Sequence, residues 1–353
     1  MSRRVRLLLI ALTALVALPA IAYVAGPVYR IDTQVGAPSL AGTVAEPAAL
    51  EAWLAASEAR FPDIVSGAEK SIVWAHPDRR RTPLAVIYLH GYTATRQEVA
   101  PLCDRLAAEL GANLYYTRLA GHGRAPAAMG EASAEDWLRD AAEALAIGRM
   151  LGERVIVVGT STGGTLALWL AQRSEAADIA AQILVSPNLG PRDERATLLA
   201  GPWGYQLQRL LIGEEYRWQP ANERQAKYWT WKYPARALVP MMALVKSVRG
   251  SPLEDIRVPT LVIHSPKDSV VSPVRIEEAY GRLGSPTKQI VKIEDSEDRA
   301  HHVLAGDILA PAGTEALLAP MLAFVRSAVP PAVGPAARPS DQAPGVDGLS
   351  VAR

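Results

Sequence analysis

The pentapeptide Gly159-Thr160-Ser161-Thr162-Gly163 follows the apolar run 155–158 and opens a stretch with helical patterning. A serine so placed sits on a sharp strand-to-helix turn, a nucleophile elbow, which presents its hydroxyl beyond the sheet. The turn strains the serine backbone and brings strand and helix almost into collision, so the residues two before and two after it must be small. Gly159 and Gly163 meet that demand, and Gly164 relaxes it further. The helix that begins near Thr162 turns its unpaired N–H groups toward the serine, which suits a developing oxyanion.

A serine hydroxyl attacks a carbonyl effectively only when a positioned base takes its proton. The chain supplies an acid and then a histidine, each in the loop after a later apolar run. Thr260–His264 reads as a strand, and the loop at its carboxyl end carries Asp268. The run 289–293 reads as the next strand, and its loop bears the adjacent His301 and His302. No histidine pair has the helical spacing of a zinc site, so no metal is expected, and nothing calls for another cofactor. His76 and His264 receive no role.

Loop tips converge only on a suitable scaffold. From Ser71 onward, apolar runs at 84–89, 112–116, 155–158, 183–185, 260–264 and 289–293 alternate with helical patterns at 101–110, 134–151, 165–173, 273–283 and 314–327. Such alternation argues for an α/β fold, a mainly parallel sheet covered by helices on both faces. Ligands of such sheets bind beyond the carboxyl ends of the strands, where the elbow lies. Between Pro187 and Arg257 the pattern contains no convincing strand, and residues 188–257 read as an inserted helical cap. Trp203, Trp218, Trp229 and Trp231 gather there with four tyrosines, which makes them candidates for an aromatic, substrate-binding wall.

The flanks differ in composition. Arg3, Arg4 and Arg6 precede an uncharged stretch at 7–25, so residues 1–25 read as a membrane anchor or signal segment, with the remainder outside the cytoplasm. Cleavage near Ala20-Ile21-Ala22 is the alternative to a retained anchor. Residues 26–50, rich in Pro, Ala and Gly, read as a linker, residues 51–328 as the folded domain, and the Pro-rich 329–353 as a disordered tail. A net charge of +1, from 37 basic and 36 acidic side chains, gives no footprint for nucleic acid. Cys103 is the only cysteine, so no intramolecular disulfide forms.

Taken with Leu89-His90-Gly91-Tyr92, Gly121-His122-Gly123, Asp268-Ser269-Val270-Val271 and His302-Val303-Leu304, the elbow makes the chain resemble an α/β-hydrolase over roughly residues 70–328. It is most similar to the branch of monoacylglycerol lipases, lysophospholipases and carboxylesterases, grouped with the serine aminopeptidase S33-like hydrolases. The resemblance implies Ser161 as nucleophile, Asp268 as acid and His302 as base, the last preferred over His301 because a small apolar pair follows it. It also implies an oxyanion hole made by the backbone N–H groups of Tyr92 and Thr162. Asp295 and Asp298 precede His302 in the same loop, without a strand to carry them behind the ring, and are read as facing water. His90 and His122 are read as holding their loops by hydrogen bonds.

The expected activity is hydrolysis of small acyl esters, such as monoacylglycerols or lysolipids, through an acyl-enzyme. A peptidase or amidase with the same triad is the rival, for which Glu214, Glu215 and Glu223 in the cap would capture a free amino terminus. A membrane-tethered binding protein on an inactive scaffold is a third reading. Dehalogenase and epoxide hydrolase chemistry is disfavoured, because Ser161 stands where those reactions need an aspartate.

Overall fold

A computed structural model of the chain describes residues 3–36, 40, 44 and 46–329. Helix α1 (Arg3–Val24) opens it, and α2 (Leu50–Glu58) leads to strand β1 (Ser71–Val73). Then follow β2 (Thr82–Leu89), α3 (Leu102–Leu110), β3 (Asn113–Tyr116), α4 (Ala134–Leu151), β4 (Gly152–Thr160), α5 (Thr162–Leu170) and β5 (Ile179–Val185). An insertion carries α6 (Gly204–Leu211), β6 (Glu215–Arg217), α7 (Glu223–Tyr228), β7 (Lys232–Pro234) and α8 (Leu238–Gly250). The chain then returns to the sheet through β8 (Thr260–His264), α9 (Pro273–Arg282), β9 (Lys288–Lys292) and α10 (Gly313–Ala328).

Seven strands form one sheet in the order β1-β3-β2-β4-β5-β8-β9, parallel except for β1. Strand side chains alternate between faces, and the core divides accordingly. Ala85, Ile87 and Leu89 of β2 join Val155 and Val157 of β4 in a cluster roofed by α2, α4, α5, α8 and α9. Val86 and Tyr88 join Ile156 and Val158 in a second cluster roofed by α3 and α10. This is the doubly covered parallel sheet expected from the alternation of apolar runs and helices.

Local chemistry fixes the helix ends. Ser133 and Asp136 form a reciprocal capping box at the start of α4. Gly111 ends α3 in the left-handed conformation, and Ser272 caps α9 just before Pro273. The insertion is not purely helical, as the sequence pattern suggests. β6 and β7 pair antiparallel, with Tyr216 opposite Tyr233. Strands of three residues are too short to show a period of two.

The stretch 26–50 does not stand clear of the domain: Val35, Leu40, Val44 and Leu50 are buried in the larger core cluster. Among the described residues no helix is long and apolar enough to cross a membrane. The expected anchor at 1–25 therefore finds no support, although 3–24 is helical. Except for Val329, which closes α10, the expected tail at 329–353 lies outside the described residues.

Candidate active site

β4 and α5 meet at Ser161, whose backbone adopts φ 53° and ψ −116°. A positive φ at a non-glycine residue costs on the order of 1–3 kcal/mol and persists only where the surroundings enforce it. Here the Ser161 N–H donates to the Val185 carbonyl, and the Ser161 carbonyl accepts from Gly164 and Asn188, each at 2.9 Å. A methyl group on Gly163 would lie 1.9 Å from the Leu89 carbonyl oxygen, and one on Gly159 would lie 2.4 Å from that of Gly163. The glycines are thus required by contact. Ser161 is 6 % exposed, and its hydroxyl makes no hydrogen bond among the described residues.

Asp268 is wholly buried in the loop after β8. Its Oδ1 accepts the N–H groups of Val270 and Val271 at 2.8 and 2.9 Å, and its Oδ2 lies 2.8 Å from His302 Nδ1. The carboxylate is fixed, so the imidazole is oriented by it. Nδ1 donates, which leaves Nε2 as the basic nitrogen. Burial pulls the His302 pKa down, but the charge and hydrogen bond of Asp268, aided by Asp298 and Glu98, outweigh it and the net shift is upward.

The histidine loop is itself pinned. Asp298 Oδ2 accepts the N–H groups of His302 and Val303 at 3.0 and 2.9 Å, and its Oδ1 accepts that of Ala300 at 3.2 Å. Ser186 Oγ donates to the His302 carbonyl at 2.8 Å. Asp298 therefore does not simply face water: its carboxylate is consumed by the turn it caps. Asp295 does face solvent, paired with Lys267 at 3.1 Å.

At the end of β2, the Gly91 carbonyl accepts from His90 Nδ1 at 2.9 Å and from the Ala94 N–H at 3.2 Å. The Leu119 N–H donates to His90 Nε2 at 3.0 Å, so the ring is neutral with its proton on Nδ1. Burial holds the His90 pKa well below the usual range. His122 Nδ1 donates to the Ala120 carbonyl at 3.0 Å, and burial lowers its pKa to about 4. Both histidines thus hold loops. No hydrogen bond among the described residues occupies the N–H of Tyr92 or of Thr162, so both donors remain uncommitted.

The four cap tryptophans part company. Trp229 is buried against Ala94, Val303 and Ile308, with Trp218 packed on that cluster, so both lie beside the loops bearing Tyr92 and His302. Next to Trp229, the Thr230 N–H donates to the Thr93 carbonyl at 2.8 Å. Trp231 is exposed at a cleft of about 330 Å³ between the cap and residues 63–65 and 123–126. Trp203 instead turns to the N-terminal segment, its indole donating to the Ala22 carbonyl at 3.0 Å. Glu214 and Glu215 are exposed and paired with Arg209 and Lys232, and Glu223 is also exposed.

Residues 81–304 match the family described as serine aminopeptidase, S33. A thermostable monoacylglycerol lipase of Bacillus sp. (strain H-257) is 27 % identical over 216 residues, which covers 61 % of this chain and 82 % of that protein. A structure reported for two metagenome-derived lipolytic enzymes superposes with a TM-score of 0.59 at 24 % identity, covering 75 % of this chain and 99 % of that one. A soluble variant of monoglyceride lipase from Saccharomyces cerevisiae also gives 0.59, at 12 % identity, over 85 % of this chain and 98 % of that one. The two structural likenesses carry the fold alone. The family match runs from the second strand of the sheet through the loop of His302, and on that ground the chain belongs to the serine aminopeptidase S33 family of α/β-hydrolases.

Proposed function

We propose that the protein is a serine hydrolase of carboxylic esters, acting on small acyl esters of the monoacylglycerol or lysolipid kind. The observation that carries the reading is His302, held through Nδ1 by the buried Asp268, in a fold that strains Ser161 into an elbow. In this reading His302 Nε2 takes the Ser161 proton as Oγ attacks the ester carbonyl. The N–H groups of Tyr92 and Thr162 receive the oxyanion, the alcohol departs with the proton, and water then cleaves the acyl-enzyme. Trp218 and Trp229 give the region beside the site an aromatic wall suited to an acyl chain. The similarity to a monoacylglycerol lipase points the same way.

The amide reading gains less support. Two of the three carboxylates that would capture an amino terminus are paired with bases of the cap itself, and all three are exposed. A location outside the cytoplasm, suggested by the arginines before an uncharged stretch, belongs to the same proposal, and cell fractionation tests it. The deciding experiment compares the parent with Ser161→Ala on esters of graded chain length and on aminoacyl amides, with fluorophosphonate labelling in parallel. Ester turnover and labelling that both vanish with the hydroxyl support the assignment; undiminished turnover ends it.

A further inference from the structure

Glu98 lies directly beneath the turn that carries Tyr92. It is 2 % exposed, at the end of the short helical turn Arg96–Glu98. Its Oε1 accepts the Gly91 N–H at 2.5 Å and the Tyr88 hydroxyl at 2.7 Å. The same Tyr88 oxygen lies 3.0 Å from Oγ1 of Thr160, the residue before Ser161. A methyl group on Gly91 would come 2.9 Å from Glu98 Oε2 and 3.3 Å from Ser161 Cβ, so the carboxyl and Ser161 border the same space beside Gly91. One carboxyl thus joins the end of β2, the end of β4 and Gly91, beside the space at Gly91 that Ser161 also borders.

A buried acid without a basic partner is unfavourable, and no Lys or Arg pairs with Glu98 among the described residues. The titratable groups facing it are Tyr88 on β2, Cys103 on α3 and His302. Burial pushes its carboxyl up to about 7, against the opposing pull of the Tyr88 and Gly91 hydrogen bonds and of His302. Core packing alone would be served as well by an apolar side chain. What such a side chain lacks is an acceptor for the Gly91 N–H and for the Tyr88 hydroxyl.

We propose that Glu98 is a positioning residue, whose carboxyl sets the turn at Gly91, and with it the Tyr92 N–H, against the elbow. This rests on the reading of Ser161 as nucleophile and of the Tyr92 N–H as an oxyanion donor. Gly91 is held on both sides: Glu98 takes its N–H, which belongs to the His90–Gly91 peptide, and His90 takes its carbonyl, which belongs to the Gly91–Tyr92 peptide. The Tyr92 N–H can then point one way only. Tyr88 carries the same constraint to Thr160, so the oxyanion turn and the elbow cannot drift apart.

Kinetics of Glu98→Ala, Glu98→Gln and Tyr88→Phe on a chromogenic ester test the role. Glu98→Ala should lower kcat by on the order of 10²-fold with little change in KM, as for a displaced oxyanion donor. Glu98→Gln keeps the acceptor oxygen and should restore kcat to within about threefold. A Gln variant as impaired as Ala, or an Ala variant that matches the parent in kcat, would overturn the role. Should the Ala variant fail to fold, Gln and Tyr88→Phe decide: a kcat lost in the first, or unchanged in the second, rejects it. Fluorophosphonate labelling separates the two levels. Labelling that depends on Ser161 but ignores Glu98 rejects the positioning role alone, whereas labelling that survives Ser161→Ala rejects both readings.

Discussion

A single oxygen of Asp298 receives the backbone N–H groups of both His302 and Val303, at 3.0 and 2.9 Å. The side chain never reaches the imidazole, yet it decides where the imidazole hangs. Removing it with Asp298→Ala frees three backbone donors and lets the loop relax. Displacement by about 1 Å is enough to lower kcat by on the order of 10²-fold. Steady-state kinetics check this, with Asp295→Ala, at the exposed acid of the same loop, expected to match the parent.

The pH profile of ester hydrolysis should carry the signature of Asp268. In the proposed mechanism His302 works as a base only when neutral, so activity should be lost as pH falls through its pKa, which stands above the ordinary 6.5. Asp268→Asn removes the main upward influence and moves the acid limb to lower pH. It also lowers kcat by on the order of 10³- to 10⁴-fold, because the ring loses its fixed tautomer. A limb that stays in place would show that some other group titrates.

Close contact at the elbow predicts a stability difference between two glycines. Gly163→Ala thrusts a methyl group into the Leu89 carbonyl and should cost on the order of 3 kcal/mol or prevent folding. Gly250→Ala, at the end of α8, meets nothing within 4 Å. There the added methyl should be neutral or stabilise by up to about 1 kcal/mol. Urea denaturation of the two variants measures both.

Glu98 should leave a mark on stability as well as on rate. The unfolded chain releases its proton near pH 4.5, whereas the folded chain holds it to about 7. Stability contributed by the protonated form is therefore complete below pH 4.5 and fades as pH rises through 7. Relative to the parent, Glu98→Gln should gain about 3 kcal/mol between pH 4.5 and 8, since it lacks this dependence. Chemical denaturation at several pH values tests it, and a constant difference between the two proteins would count against a protonated carboxyl.

Much of this architecture could be read from the chain because local signals and tertiary demands agree. α4 spans the stretch its pattern marks, since Ser133 and Asp136 cap it in sequence as in space. Asp268 falls at the tip of β8 because an apolar run followed by a loop has one place to go in a parallel sheet. His302, by contrast, was chosen over His301 through resemblance, for nothing local distinguishes two adjacent rings. Glu98 carries no local signal: it lies seven residues beyond Gly91, and only the folding of the turn back under β2 buries it. Asp298 did carry a local signal, its place two and four residues before the N–H groups of Ala300 and His302, which suits a side-chain cap.

The bond from the Thr230 N–H to the Thr93 carbonyl fastens the roof of the molecule to its working floor. Thr93 is itself in the left-handed region, at φ 64°, and follows Tyr92 directly. Any swing of the insertion that lifts residue 230 must pull on this strained link and so disturb the neighbouring amide. Under the proposed function, passage of a guest and readiness of the catalytic floor are therefore mechanically joined, and a hinge that spares the chemistry must bend elsewhere in the insertion.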